Sequence, residues 1–127
     1  IFEAILNSKE ALRAECPWGK WEILNEEKSY KIKKISVLPG HRLSYQSHNH
    51  RSELWMIIHG KAEITLDDEK IFLEQGQHLY IPQKSRHRIA NPQKDTDLIF
   101  IEVQTGTYFG EDDIFRYSDD YGRASSK

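Results

Sequence analysis

A single cysteine among 127 residues excludes an internal disulfide. Cys16 alone suits a reducing compartment, and a cytoplasmic protein is expected. No stretch approaches the roughly 18 apolar residues of a spanning helix, and the N-terminus lacks the basic-then-apolar layout of a secretory signal. A membrane is therefore not an expected partner. Charge of one sign is not in excess either: the net charge is −2, the pI is near 6.3, and basic residues are scattered. That balance excludes the electrostatic footprint of a nucleic-acid binder. Internal repeats and low-complexity tracts are also missing, which excludes a repeat array.

What remains fits one domain, which at this length buries roughly two thirds of the surface its unfolded chain would expose. Ile1, Ile5, Leu6 and Leu12 fall at helical spacing, and Ser8 is placed to cap a short helix. Residues 1–16 are therefore expected to form an N-terminal helical extension. Pro17, Trp18 and Gly19 interrupt it, and from Lys20 onward short segments rich in Ile, Val, Tyr and Trp take over. Strands are expected at 20–24, 30–38, 42–46, 53–59, 61–66, 70–73, 78–81, 87–90 and 97–104, separated by turn residues such as Pro39-Gly40, Asp67-Asp68 and Asn91-Pro92. Within 30–38, the pair Lys33-Lys34 shifts the apolar alternation and suggests a bulge. Many short strands without intervening helices predict an all-β sandwich or barrel over residues 17–123, with a frayed tail at 124–127.

The stretch from Gly40 to Gly60 packs Gln46, His48, His50 and Glu53 into eight residues. Gln46 and His48 are two apart and share one strand face. Glu53 reaches the same point if the chain reverses through 49–52, and His87 arrives from a strand distant in sequence. Two imidazoles with glutamine and glutamate oxygens make a site of intermediate hardness, suited to zinc, manganese, iron, cobalt or nickel.

Counted from the glycines, Gly40-x5-Gln46-x-His48-x4-Glu53-x6-Gly60 resembles the first cupin motif, and Gly76-x5-Pro82-x4-His87-x3-Asn91 resembles the second. A closer resemblance runs from Pro17 to Arg123. Pro-Trp-Gly at 17–19, Pro-Gly-x-Arg-Leu-Ser-x-Gln at 39–46, His-x-His-Arg-x-Glu-x-Trp at 48–55, Ile-Glu-Val-Gln-x-Gly at 101–106, Gly-Glu-Asp-Asp-Ile at 110–114 and Tyr-Gly-Arg at 121–123 look like the cupin of type II mannose-6-phosphate isomerases. The resemblance implies a double-stranded β-helix, or jelly-roll barrel. It also implies a divalent metal, zinc first, held by Gln46, His48, Glu53 and His87. The implied activity interconverts mannose 6-phosphate and fructose 6-phosphate for activated-mannose supply, and homodimers are common among cupins.

Moving a proton between C2 and C1 through a cis-enediol needs stabilisation of developing enediolate charge and a base within hydrogen-bond reach. His50 and Glu102 are the candidate bases. His50 shares the parity of Gln46 and His48 if that strand continues, while Glu102 and Gln104 place polar groups on one face of an apolar strand. The phosphate calls for arginine, whose fork suits it. Arg42, Arg51, Arg88, Arg116 and Arg123 are available, and the resemblance favours the last two. Glu111, Asp112 and Asp113 are expected to cap a helix-like turn at 114–116. One departure stands out: Cys16 occupies the place where this family has arginine before Pro-Trp-Gly. It motivates an alternative, a metal-containing cupin that binds a sugar phosphate without turning it over.

Overall fold

The computed structural model describes residues 12–110 and 112–125. Within them run β1 (Arg13–Cys16), β2 (Gly19–Glu26), β3 (Tyr30–Val37), β4 (Tyr45–Ser47), β5 (Arg51–His59), β6 (Lys61–Leu66), β7 (Glu69–Glu74), β8 (His78–Ile81), β9 (His87–Ala90), β10 (Leu98–Gly106) and β11 (Phe115–Ser118). They form a six-stranded sheet, β1-β2-β3-β10-β5-β8, and a five-stranded sheet, β11-β4-β9-β6-β7, with antiparallel pairing throughout. Among the described residues no helix is long and apolar enough to cross a membrane.

The period-2 pattern decides what each strand buries. On β10 the inward residues are Leu98, Phe100, Glu102 and Gln104, all buried. Register places them opposite Val37, Ile35, Lys33 and Lys31 of β3, and sets Phe100, Glu102 and Gln104 against Ile57, Trp55 and Glu53 of β5. Ile64, Leu73 and Ile89 close the same core from the smaller sheet. Each fully buried Ile or Phe here contributes about 1.5–3 kcal/mol through apolar burial. The interior is thus graded along the strands, apolar at the Leu98 end and polar at the Gln104 end.

That gradient corrects the expected bulge in 30–38. Lys31, Lys33, Ile35 and Val37 alternate without interruption, and both lysines are buried. Lys33 marks a change of interior chemistry, not a change of phase. The irregularity lies on the partner strand, where the register slips between Ile23 and Asn25.

Two helical expectations also change. Residues 13–16, placed in the helical extension, form β1 and pair with β2 from Arg13↔Glu22 to Cys16↔Gly19. The two residues Pro17 and Trp18 reverse the chain, so cross-strand pairing overrides helical spacing. The rest of that extension, residues 1–11, lies outside the described residues, as do Glu111 and residues 126–127. The expected helix-like turn at 114–116 gives way to strand β11, which pairs with β4 through Phe115↔Ser47 and Arg116↔Gln46. Arg42 makes only an isolated bridge to Ala90, so the strand expected over 42–46 is the shorter β4.

Candidate functional site

At the polar end, His48, Glu53 and His87 bring one donor atom each to within 4.8 Å of one another, and all three side chains are buried. Glu53 points inward near the start of β5, His87 opens β9, and His48 lies just past the end of β4. The His48 and His87 Nε2 atoms stand 3.4 and 3.6 Å from the Glu53 carboxylate. Gln46 is paired in register with His87 across β4 and β9.

Each imidazole is held from behind. Nδ1 of His48 donates to the Asp113 carbonyl at 2.6 Å, and Nδ1 of His87 donates to the Ser85 carbonyl at 3.1 Å. These bonds leave Nε2 as the lone-pair nitrogen on both rings, the arrangement that carbonyl partners give to metal-binding histidines. Nε2 of His87 is buried without a hydrogen-bond partner. Nε2 of His48 accepts from Arg51 Nη2 at 3.1 Å, and Arg51 Nε donates to Glu53 at 3.0 Å. A lone pair cannot serve both a cation and the guanidinium, so ligation at His48 displaces one Arg51 contact. Two neutral imidazoles with inward lone pairs, a carboxylate between them and an orphaned buried nitrogen fit a divalent cation.

Burial lowers His48 to about 3, with the Arg51 and His87 charges adding to it, and burial lowers His87 to about 4. Both rings are therefore neutral, as ligands must be. The unfolded chain, with imidazoles near 6.5, binds more protons than the folded chain below that pH. Stability should thus be full above about pH 6.5 and fall as pH drops toward 4, with His87 alone accounting for on the order of 3 kcal/mol. Urea unfolding of chelator-treated protein at stepped pH measures this, and His87→Gln should flatten the slope.

Glu102 faces inward from β10. Its two carboxylate oxygens accept from Trp55 Nε1 at 3.1 Å and from Gln104 Nε2 at 2.7 Å. The same indole N–H lies 3.2 Å from Glu53, so Trp55 bridges the two acids. Burial, with the Glu53 charge beside it, raises the Glu102 pKa against the opposing influence of Lys33 and Arg51. A buried carboxyl raised above the ordinary carboxylate range is a candidate for acid–base chemistry.

An open cavity adjoins this cluster, lined among others by Cys16, Trp21, Lys33, Gln46, Arg51, Glu102, Arg116 and Arg123. The three donors lie behind Arg51 and Glu102 instead of lining it themselves. Arg51, Arg116 and Arg123 give the cavity three guanidinium groups, and Lys33, 4.6 Å above the Trp21 ring centroid, adds a fourth cation. Arg123 is itself held by Asp119.

Two expected residues stand apart. The Arg42 guanidinium forms a two-pronged pair with Asp120 at 2.7 and 2.9 Å on the exposed surface, away from the cavity lining. The His50 side chain is 56% exposed and pairs with Asp113 at 3.0 Å, because β4 ends at Ser47 and the shared parity ends with it. Arg88 is spent on the Leu43 carbonyl.

Sequence reasoning missed Lys33 and Asp113. Counting parity back from Val37 and Ile35 would have turned Lys33 inward. Asp113 accepts from the Asn49 and His50 amides at 3.1 and 2.9 Å while its carbonyl holds His48, so Asp113 clamps the donor loop instead of capping a helix.

The family described as "Mannose-6-phosphate isomerase C-terminal" matches residues 6–119. The xanthan biosynthesis protein XanB of Xanthomonas campestris pv. campestris is 42% identical over 131 residues, covering 97% of this chain and 28% of that protein. A mannose-1-phosphate guanylyltransferase of Salmonella montevideo is 45% identical over 107 residues, covering 84% of this chain and 22% of that protein. The chain thus spans about a quarter of the length of these relatives. Among solved structures, the Cnp3 cupin domain of Schizosaccharomyces pombe superposes with a TM-score of 0.65 at 17% identity, covering 68% of this chain and 64% of that one. The fold is accordingly a cupin, the double-stranded β-helix expected from the motif spacing.

Proposed function

This chain belongs to the mannose-6-phosphate isomerase C-terminal family, and from that premise we propose that it interconverts mannose 6-phosphate and fructose 6-phosphate through a cis-enediol, in the cytoplasm. The observation that carries this reading is the meeting of a buried donor cluster, a buried carboxyl of raised pKa and a cation-lined cavity at one end of the barrel.

His48, Glu53 and His87, with Gln46 from the paired strand, would hold the metal, zinc first among the candidates. When bound it would supply Lewis-acid stabilisation of the negative charge that develops on the enediolate. Glu102 is assigned as the base. It takes the C2 proton of the open-chain aldose as O1 gains a proton from solvent water, giving the cis-enediol. It then returns its proton to C1 as the O2 hydroxyl gives its own back to solvent, leaving the ketose. Arg116 and Arg123 take the phosphate at the cavity wall, where planar guanidinium groups suit its oxygens. Arg51 spans cavity and cluster and offsets the Glu53 charge. His50, paired with Asp113 outside the cavity, serves the loop that carries His48.

The test is metal content of the purified protein together with a coupled assay for fructose 6-phosphate formed from mannose 6-phosphate. Near-stoichiometric metal and turnover that chelator abolishes are expected. Cys16 on the cavity lining favours the second reading, a metal-containing cupin that binds the sugar phosphate without converting it. Bound metal without turnover would select that reading, and a gain of activity in Cys16→Arg would then identify the missing arginine as the cause.

A further inference from the structure

Resting on the metal reading above, we propose that the turn made by Asp67 and Asp68 is the positioning device of the donor cluster. It fixes the approach of His87 and the spacing between the strands that carry His87 and Gln46.

Asp67 and Asp68 join β6 to β7 as a two-residue hairpin turn, and both adopt positive φ, 46° and 70°. Such turns favour Asn-Gly, because a side chain is strained there. Aspartate suits the first of these positions, but Asp68 stands where glycine is preferred, and its side-chain contacts explain why.

Asp67 grips Arg86, the residue immediately before His87, from both sides. Its amide donates to the Arg86 carbonyl at 2.8 Å, and its carboxylate accepts the Arg86 amide at 2.8 Å. Leu66, just before the turn, is the register partner of His87. The backbone on either side of the His87 Cα is thereby tied to β6, one link by strand pairing and the other by the turn.

Asp68 extends the tie to β4. Its carboxylate accepts from Arg86 Nη2 at 2.7 Å and from the Tyr45 hydroxyl at 2.8 Å, and its amide donates to that hydroxyl at 2.9 Å. Tyr45 directly precedes Gln46, the partner of His87 across β4 and β9. One exposed turn therefore holds the residue preceding each of two candidate donors. A simple hairpin needs none of these contacts.

The variant that isolates the side chain is Asp67→Gly, since glycine suits positive φ and keeps the turn while removing the carboxylate. The probe is the Zn²⁺ dissociation constant of the full chain, read by competition with a chromophoric chelator, beside the melting temperature of the metal-free protein. Asp67→Gly should weaken zinc by about tenfold, the lower end for outer-shell partners of metal-bound histidines, with the melting temperature little changed. Asp67→Asn keeps an oxygen acceptor and tolerates the turn, and should restore native affinity. Unchanged affinity in Asp67→Gly overturns the proposal, as does an equal loss in Asp67→Asn, which would assign the effect to charge. A matching fall in metal-free stability would reduce the turn to a structural tie and likewise overturn it. Failure of the native chain to bind zinc strikes the underlying metal reading instead, and is seen before any variant is made.

Discussion

Replacing His48 and His87 together with alanine is expected to abolish isomerisation, lowering kcat/KM by roughly a thousandfold or more, since Lewis-acid stabilisation is worth several kcal/mol and each 1.4 kcal/mol is a factor of ten. The two rings carry the two Nε2 lone pairs of the cluster, and both are neutral and directed inward by carbonyl partners. Without them the remaining donors are oxygens of Glu53 and Gln46, too few to retain a divalent ion at neutral pH. Metal content should fall with activity. His87→Gln is the milder companion, able to keep a bond to the Ser85 carbonyl while removing the lone-pair nitrogen. It should lose metal with less loss of packing. Turnover that persists in the double variant, with the cupin fold confirmed by circular dichroism, would sink the metal mechanism.

The two motifs were legible because cupin strands are short and alternate strictly, so the spacing between glycines fixes which side chains face the barrel interior. Strands β6, β8 and β9 fall where the alternation places them, and Glu102 and Gln104 share the inward face as their parity requires. What the alternation could not reveal is chemistry set by distant partners. Lys33 reads as a phase error only if an inward position must be apolar; opposite Glu102 it lines a polar cavity. Asp113 lies 64 residues from Asn49 in sequence, and no local pattern announces that its carboxylate will bind that amide. The same limit separates the arginines. Arg42 and Arg51 flank one motif, yet one pairs with Asp120 on the surface and the other is buried against Glu53. The expected helical extension reached too far, to residue 16, for a related reason: β1 over Arg13–Cys16 exists through its pairing with β2.

Glu102→Gln is expected to lower kcat by about a hundredfold to ten-thousandfold, the range of general acid–base contributions, with little change in KM or metal content. The substitution is unusually clean. The carboxylate accepts from Trp55 on one oxygen and from the Gln104 amide on the other. An amide in its place can keep the Trp55 bond through its oxygen, but its NH2 then meets the Gln104 NH2. The Gln104 carbonyl oxygen is buried without a hydrogen-bond partner, so a half-turn of that amide supplies an acceptor where one is needed. One unpaired buried atom, the Gln104 oxygen, is exchanged for another, the Gln104 NH2, so the substitution adds no further unpaired group. Removing an acid whose pKa burial has raised also removes the tendency of its charge to oppose Glu53. The melting temperature should therefore hold or rise while turnover falls, a divergence that a packing role for Glu102 cannot produce. A kcat within tenfold of native would exclude Glu102 as the base.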